Sequence, residues 1–104
     1  MATERAVARL DSLIVEGQAV LGTHRPNRTG IIGFPTIESG AFTEWRTQSL
    51  VCLESLLGSA HVYVENFKEQ IKKGYRETVE AGIGILRATK HDLVEVDLTV
   101  QRII

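Results

Sequence analysis

The stretch "EAGIGILRATK", residues 80 to 90, places Gly82 and Gly84 two positions apart and follows them with Arg87 and Lys90. Glycines near basic side chains can cradle a phosphate when they lie between a strand and the start of a helix, because backbone N–H groups then point at the anion. Here no strand pattern precedes the glycines, and Arg87 stands where the dinucleotide-binding fingerprint requires a third glycine. We therefore expect both glycines to lie inside a helix, and we predict no cofactor.

Glycine inside a helix needs another explanation, because it destabilises the helix by about 1 kcal/mol relative to alanine. Together with Ala81 and Ala88, Gly82 and Gly84 would give one helix a surface of small residues. A second helix can approach such a surface closely, since no long side chain keeps the two backbones apart. The spacing thus predicts tight helix packing here, either within the chain or between two chains.

The other residues that could do chemistry are scattered. The histidines His24, His61 and His91 are far apart, and although His61 and Glu65 share a helix face, zinc needs three or four ligands. We therefore predict no metal site. Cys52 falls on an apolar helix face, where a thiol is typically buried and unreactive, and no neighbouring base would activate it. A single cysteine allows no intramolecular disulfide, which is typical of the reducing cytoplasm.

Charged residues elsewhere predict solvent-exposed surfaces. The paired carboxylates have the spacing of exposed helix faces: Glu65 with Glu69, and Glu77 with Glu80. Residues 24–28 are locally basic, and Arg25 and Arg28 could contact phosphates, but the net charge of −1 gives no overall field that attracts nucleic acid. We expect a solvated loop there. A nucleic-acid-associated accessory protein stays as the alternative, with Lys72, Lys73 and Arg76 as further contacts.

Apolar periodicity predicts four helices that would position these residues, at about 3–21, 40–57, 60–73 and 76–93. Their apolar stripes are Ala6, Val7, Leu10, Leu13, Ile14, Val20 and Leu21; Phe42, Trp45, Ser49, Cys52, Leu53, Leu56 and Leu57; Tyr63, Val64, Phe67 and Ile71; and Val79, Ile83, Leu86 and Leu93. Trp45 is predicted to lie in the core; if it were partly exposed, it would be an interface anchor together with Arg46.

Helix ends are predicted from caps and glycines. Thr3 and Ser59 are candidate N-caps, and Gly22, Gly58 and Gly74 are candidate stops. Lys72 and Lys73 would then lie in the last turn of the third helix, where cations suit the helix dipole.

Two segments leave more than one structure open. Residues 22–40 hold four glycines and both prolines, which is loop composition, yet Ile31, Ile32, Phe34 and Ile37 predict that part of this loop packs onto the helices. In the tail "LVEVDLTVQRII", apolar and polar residues alternate from Val94 to Val100, as in a strand. A frayed extension of the fourth helix is equally compatible. A strand would have to pair with another chain or with residues 31–37.

One resemblance covers about residues 42 to 93. "FTEWRTQSLVCLESLLGSAHVYVENF" followed by "VEAGIGILRATKHDL" resembles helical N-terminal domains of bacterial multidomain proteins. In those proteins the domain precedes effector modules, such as nuclease-like domains and domains similar to Toll/interleukin-1 receptor domains, in settings that look like phage defence. The resemblance implies a helical interaction domain and carries over no catalytic residue. This chain departs from the pattern by having "LVEVDLTVQRII" in place of a Gly-Gly linker and by lacking an effector module. It would therefore be a stand-alone version or a fragment.

These patterns together predict one all-α domain over residues 1–104, a compact bundle of about four helices with a long 22–40 loop and, in one alternative, a short C-terminal strand. No stretch has the length of a membrane span or the pattern of a signal peptide. We expect a non-enzymatic oligomerisation or protein-interaction domain, most simply a homo-oligomer. The predicted interface residues are Gly82, Gly84, Ile31, Ile32, Phe34, Ile103 and Ile104. A small enzyme or ligand binder with a pocket under the 22–40 loop is the remaining alternative.

Overall fold

The computed structural model describes the backbone of residues 2–23, 37 and 39–103, and the side chains of residues 4–23, 37 and 39–95. Within these residues the chain forms four α-helices and no strand. They are α1 (Ala2–Leu21), α2 (Ser39–Leu57), α3 (Val62–Gln70) and α4 (Arg76–Ile103). The predicted all-α, four-helix architecture is confirmed.

Consecutive helices run in opposite directions and close into a bundle. In α1 and α4, Asp11 forms an ion pair with Lys90 at 2.7 Å, whereas Gly17, further along α1, faces Ile83, which comes earlier in α4. The order of contacts is therefore reversed, as in antiparallel helices. The same reversal relates α1 to α2, where Leu13 contacts Trp45 and the earlier Arg9 contacts the later Gln48. It also relates α2 to α3, where Arg46 contacts Ile71 and the later Glu54 contacts the earlier Lys68. This is the up-down-up-down arrangement of four-helix bundles.

Trp45 of α2 lies at the centre of the core. It is 2% exposed, and its indole Nε1 donates a hydrogen bond to the Leu13 carbonyl of α1 at 2.9 Å. Its ring centroid lies 6.3 Å from that of Phe42 and 6.0 Å from that of Phe67 in α3, both in tilted arrangements. Such aromatic pairs stabilise a core beyond the apolar area that they bury. The prediction of Trp45 as a core residue is confirmed.

Two glycines make room for this indole. A Cβ atom on Gly82 of α4 would lie 2.5 Å from Cη2 of Trp45. A Cβ atom on Gly17 of α1 would lie 2.8 Å from Cγ1 of Ile83 and 3.0 Å from the indole. Real Cβ atoms are not found that close to other heavy atoms, so α1 and α4 can both reach Trp45 only because these positions lack side chains.

The two glycines of the small-residue surface predicted on α4 lie in different environments. Gly82 does permit tight packing, but the partner is Trp45 of the same chain. Gly82 is buried in the fold, so the close approach that it permits is the one to this indole. Gly84 is exposed, and a Cβ atom there would meet no described atom within 4 Å, so Gly84 stays a candidate contact.

The predicted apolar stripes supply the rest of the core. Its buried hydrophobic residues are Leu10, Leu13, Ile14, Val20, Ile37, Phe42, Trp45, Leu53, Val64, Phe67, Ile71, Val79, Ile83 and Leu86. Ser49 is buried as predicted, and no described residue forms a hydrogen bond with its hydroxyl. Several predicted stripe members are only half-buried, including Ala6, Val7, Cys52, Leu56 and Leu57. These lie toward the end of the bundle where α1 begins and α2 ends, so packing is looser there.

The ends of α3 differ from the prediction. The N-cap is His61, whose Nδ1 accepts a hydrogen bond from the Tyr63 backbone N–H at 3.0 Å, and not Ser59. The helix ends at Gln70, and Ile71 has non-helical backbone angles. The side chain of Ile71 is buried in the core, and its carbonyl accepts a hydrogen bond from the Arg46 guanidinium. The predicted continuation is therefore wrong: Lys72, Lys73 and Gly74 lie in the linker after the helix.

The other helix boundaries are close to those expected. Gly58 ends α2 with a positive φ of 89°, a conformation that glycine adopts without strain. The α1 helix ends at Leu21, before Gly22, as predicted, but it begins at Ala2 and thus already includes Thr3. Ile37 is 4% exposed and its N–H donates to the Gly74 carbonyl at 3.1 Å, which confirms that part of the 22–40 loop packs onto the helices.

The C-terminal strand alternative is wrong, because α4 continues to Ile103. The alternating pattern was ambiguous: Leu93, Val96, Val100 and Ile103 also recur at the three- and four-residue spacing of a helix. The described residues include no strand that could pair with this segment. None of the described helices is both long and apolar enough to cross a membrane.

The two glycines of α4 permit a matched test of this packing. We expect Gly82→Ala to lower the free energy of unfolding by about 1–3 kcal/mol, because the new methyl group overlaps the indole of Trp45. Gly84→Ala should raise it by about 0.5–1 kcal/mol, because the added methyl meets open space in a helix. Urea unfolding followed by circular dichroism measures both values. Equal stability of the two variants would contradict the role assigned to Gly82.

Candidate binding groove

A groove of about 510 Å³ opens between the first half of α1 and the second half of α2. Its apolar surface is formed by Ala6 on α1 and by Val51, Cys52 and Leu56 on α2. The groove exists because side chains such as Ala6, Cys52 and Ser55 are too small to fill the space between two helix backbones. Val51 is 59% exposed, so a large part of its side chain faces solvent.

Two arginines occupy the α1 side of the groove. Arg5 and Arg9 stand one helical turn apart, and Arg9 Nη2 donates a long hydrogen bond of 3.5 Å to Gln48 Oε1 of α2. The remaining lining residues, Thr47, Gln48 and Ser55, are uncharged. Within the described part of the chain, no aspartate or glutamate lines the groove. The groove therefore combines an apolar floor with a positively charged edge.

Cys52 lies in the groove and is half-buried. Burial raises the pKa of the thiol above its usual value, and the positive charge of Arg9 offsets only part of this increase. The thiol is therefore mainly protonated at neutral pH, and protonated thiols are poor nucleophiles. The expected low reactivity agrees with this direction, although the side chain is less buried than predicted.

A second cleft, between the start of α3 and α4, is lined by more titratable side chains than the groove. Three of them, His61, Tyr63 and Asp92, form hydrogen bonds that hold α3 in place. The Tyr63 hydroxyl donates to Asp92 Oδ2 at 2.5 Å, which ties α3 to α4. His61 is the N-cap of α3, and its ring lies 5.0 Å from that of Tyr63. The hydrogen bond to Asp92 is the main reason why the pKa of Tyr63 is raised, with smaller contributions from burial and from the charge of Asp92.

The histidines and the basic residues considered in the sequence do not gather into a site within the described residues. In the part of the chain that the structure describes, no group of three or more His, Cys, Asp or Glu side chains could hold a metal ion. His91 is exposed on α4, 3.9 Å from Asp92, and His24 lies outside the described residues. Two of the proposed phosphate contacts are in ion pairs, Lys72 with Glu69 at 3.4 Å and Arg76 with Glu80 at 3.1 Å. Lys73 is exposed in the linker, and Arg25 and Arg28 lie outside the described residues.

The predicted interface residues and the groove do not coincide. Gly82 is in the core and Gly84 is on the surface of α4, away from the groove. The side chain of Ile103 lies outside the described residues, as do Ile31, Ile32, Phe34 and Ile104. The sequence analysis did not identify the groove, because its α1 residues, among them Arg5 and Arg9, are distant in sequence from the α2 residues that lie opposite them. The available signal was Val51, an apolar residue outside the buried stripe of α2.

Comparisons with known proteins give no assignment for this groove. No family model matches the chain, and no curated protein or solved structure matches it either. The resemblance of residues 42–93 to helical N-terminal domains stays a prediction. Function therefore has to be inferred from the shape and chemistry of the groove itself.

The Tyr63–Asp92 bond predicts a pH dependence of stability. Because the pKa of Tyr63 in the folded protein lies above its ordinary value of 10.0, the bond stabilises the fold below pH 10 and is lost as the pH rises through the raised value. We expect Tyr63→Phe to be less stable than the unchanged chain at pH 7 and to lose this disadvantage in stronger alkali.

Absorbance of tyrosinate in a Tyr75→Phe background measures the pKa directly, since the chain has two tyrosines and Tyr63 is then the only one left. Urea unfolding at several pH values gives the stability of the same variants. Titration of Tyr63 at or below pH 10 would contradict the hydrogen bond.

Proposed function

We propose that this chain is a non-enzymatic protein-interaction domain, which acts by self-assembly or by binding a separate effector. The observation that carries the proposal is the groove between α1 and α2, with exposed Val51 beside Ala6 and Leu56 and with two arginines at its edge. Apolar surface rimmed by polar residues is typical of protein-binding sites, and arginine is enriched among residues that dominate binding energy.

The chemistry of the lining supports binding over catalysis. General acid–base catalysis needs a group that exchanges protons near the working pH. Among the described residues, the groove is lined by no imidazole and no carboxylate, and burial raises the pKa of its one thiol. The proposal accordingly assigns no proton transfer and no nucleophile to this site.

Self-assembly is the form of this function that the sequence favours. Gly84 leaves an open, exposed position on α4 where another helix could lie close. Together with Ile31, Ile32, Phe34, Ile103 and Ile104, it makes up the remaining predicted contact set. A homo-oligomer built this way would leave the groove available to a second protein.

The resemblance over residues 42–93 supports a narrower proposal. In it, the chain serves as the N-terminal or stand-alone part of a bacterial defence-type system and recruits an effector in the cytoplasm. The motifs that carry the resemblance correspond to helix-forming and core positions such as Trp45 and Phe67. They support a shared scaffold, and the neighbouring genes of this chain would test the pathway.

Val51→Asp tests the groove against a matched valine. We expect this change to weaken binding of a protein in the groove by about tenfold or more, because it places an unpaired charge in an apolar contact. Val51 is exposed in the free chain, so the stability should change by less than about 0.5 kcal/mol. Val15→Asp is the control, since Val15 of α1 is 62% exposed and lies outside the groove.

Two measurements read the effect. Light scattering behind a sizing column gives the native mass, to be compared with 11.5 kDa for one chain. Affinity capture from cells that naturally make the protein, compared across the three forms, gives the partner-bound fraction. Suppose that the chain is a monomer and that the Val51→Asp variant captures the same proteins at the same level as the unchanged chain. The groove would then be ruled out as the binding site.

A further inference from the structure

We infer that the groove between α1 and α2 binds an acidic amphipathic helix of a separate protein. This inference rests on the proposed function and adds the chemical class of the partner. The two walls of the groove are antiparallel helices, and its α2 wall runs from Thr47 to Leu56. At 1.5 Å per residue this wall is about 14 Å long, which matches between two and three turns of a helix. Amphipathic helices bind in this way, with their apolar face in a groove.

The charges of the groove select the sign of the partner. Arg5 and Arg9 are four residues apart on one helix, so their Cα atoms are separated by about 6 Å along the axis. Two carboxylates at positions i and i+4 of an incoming helix have the same separation and can each meet one guanidinium. A helix with lysines at those positions would instead place like charges together. With no described carboxylate in the lining, nothing within the groove reverses this preference.

The chain's own surface offers a poorer occupant. Outside the groove, the exposed large hydrophobic residues among the described side chains are Val15, Val62, Tyr75 and Val94. Only α3 combines one of them with carboxylates at the required spacing, as Val62 with Glu65 and Glu69. A single valine cannot cover an apolar floor that extends along the groove. A second copy docked through α3 is thus an outcome to be tested, and a separate helix with a continuous apolar stripe fits better.

The Cys52 thiol can report whether the groove is occupied. It is the only cysteine of the chain, and it lines the groove. A helix bound there would shield the thiol from a thiol-specific reagent. The rate of modification therefore measures occupancy of this groove, whereas a binding assay alone would not locate the peptide. Because burial raises the pKa of Cys52, the assay is best run at mildly alkaline pH.

Three synthetic helical peptides serve as probes. They share one stripe of leucines and differ only at two flanking positions four residues apart, which carry glutamate, glutamine or lysine. At low salt we expect the glutamate peptide to bind the unchanged chain about tenfold more tightly than the lysine peptide and to protect Cys52. The difference should shrink as salt screens the charges.

The Arg5→Glu/Arg9→Glu variant should reverse the order of the peptides. Arg87→Glu, which changes an exposed arginine of α4 outside the groove, should leave the order unchanged. Circular dichroism checks that each variant is folded. If the double reversal did not fold, Arg5→Gln/Arg9→Gln would take its place, with loss of the preference as the expected result.

Each other outcome overturns the inference in a distinguishable way. If the three peptides bind equally and all protect Cys52, the charge selection is wrong while the groove still binds helices. If none protects Cys52 up to about 1 mM, the helical partner is wrong, and the Val51→Asp comparison decides the proposed function separately. If Cys52 becomes protected as the concentration of the protein itself rises, and Val51→Asp relieves this, the groove is covered by a second copy.

Discussion

The position of the Trp45 indole is the constraint on which the rest of the bundle depends. Its ring packs against Phe67 of α3, its N–H donates to the Leu13 carbonyl of α1, and the backbone of α4 reaches it at Gly82. One side chain of α2 thus contacts the other three helices. The approaches of α1 and α4 would be prevented by larger residues in place of Gly17 and Gly82. The distances between the helices at this level are set by the volume of a single indole.

The tight centre and the open groove follow from the same two helices. At the level of Trp45, α1 presents Gly17 and a carbonyl, so the large residue of α2 fills all the space between them. Two turns further toward the start of α1, small residues stand on both sides, Ala6 on α1 and Cys52 on α2. Two helices held apart by an indole cannot close over small side chains without bending. The packing around Trp45, together with the small residues Ala6 and Cys52, is therefore enough to explain the groove.

Sequence periodicity predicted the helices well where one side of each helix is buried. The stripe with Phe42, Trp45 and Leu53 is an example, because its spacing places these residues on one face of a helix and all three are buried. Periodicity failed where contacts between distant parts of the chain determine the structure. The end of α3 coincides with a hydrogen bond from Arg46 to the Ile71 carbonyl, and Gly82 makes room for Trp45, which is distant in sequence. The groove could not be predicted, because it depends on which residues of α1 lie opposite those of α2, and periodicity within one helix carries no such register.

The junction at Trp45 has an optical consequence. It is the only tryptophan of the chain, so the intrinsic fluorescence excited at long wavelength comes from one indole in one environment. That indole lies in α2 and contacts the other three helices, so separation of any helix from the bundle would expose the indole to water. Exposure to water would shift the wavelength of its emission. The emission of this chain therefore reports whether the bundle opens as a unit. A fluorescence transition that coincides with the loss of helical signal would mean that no helix separates before the others.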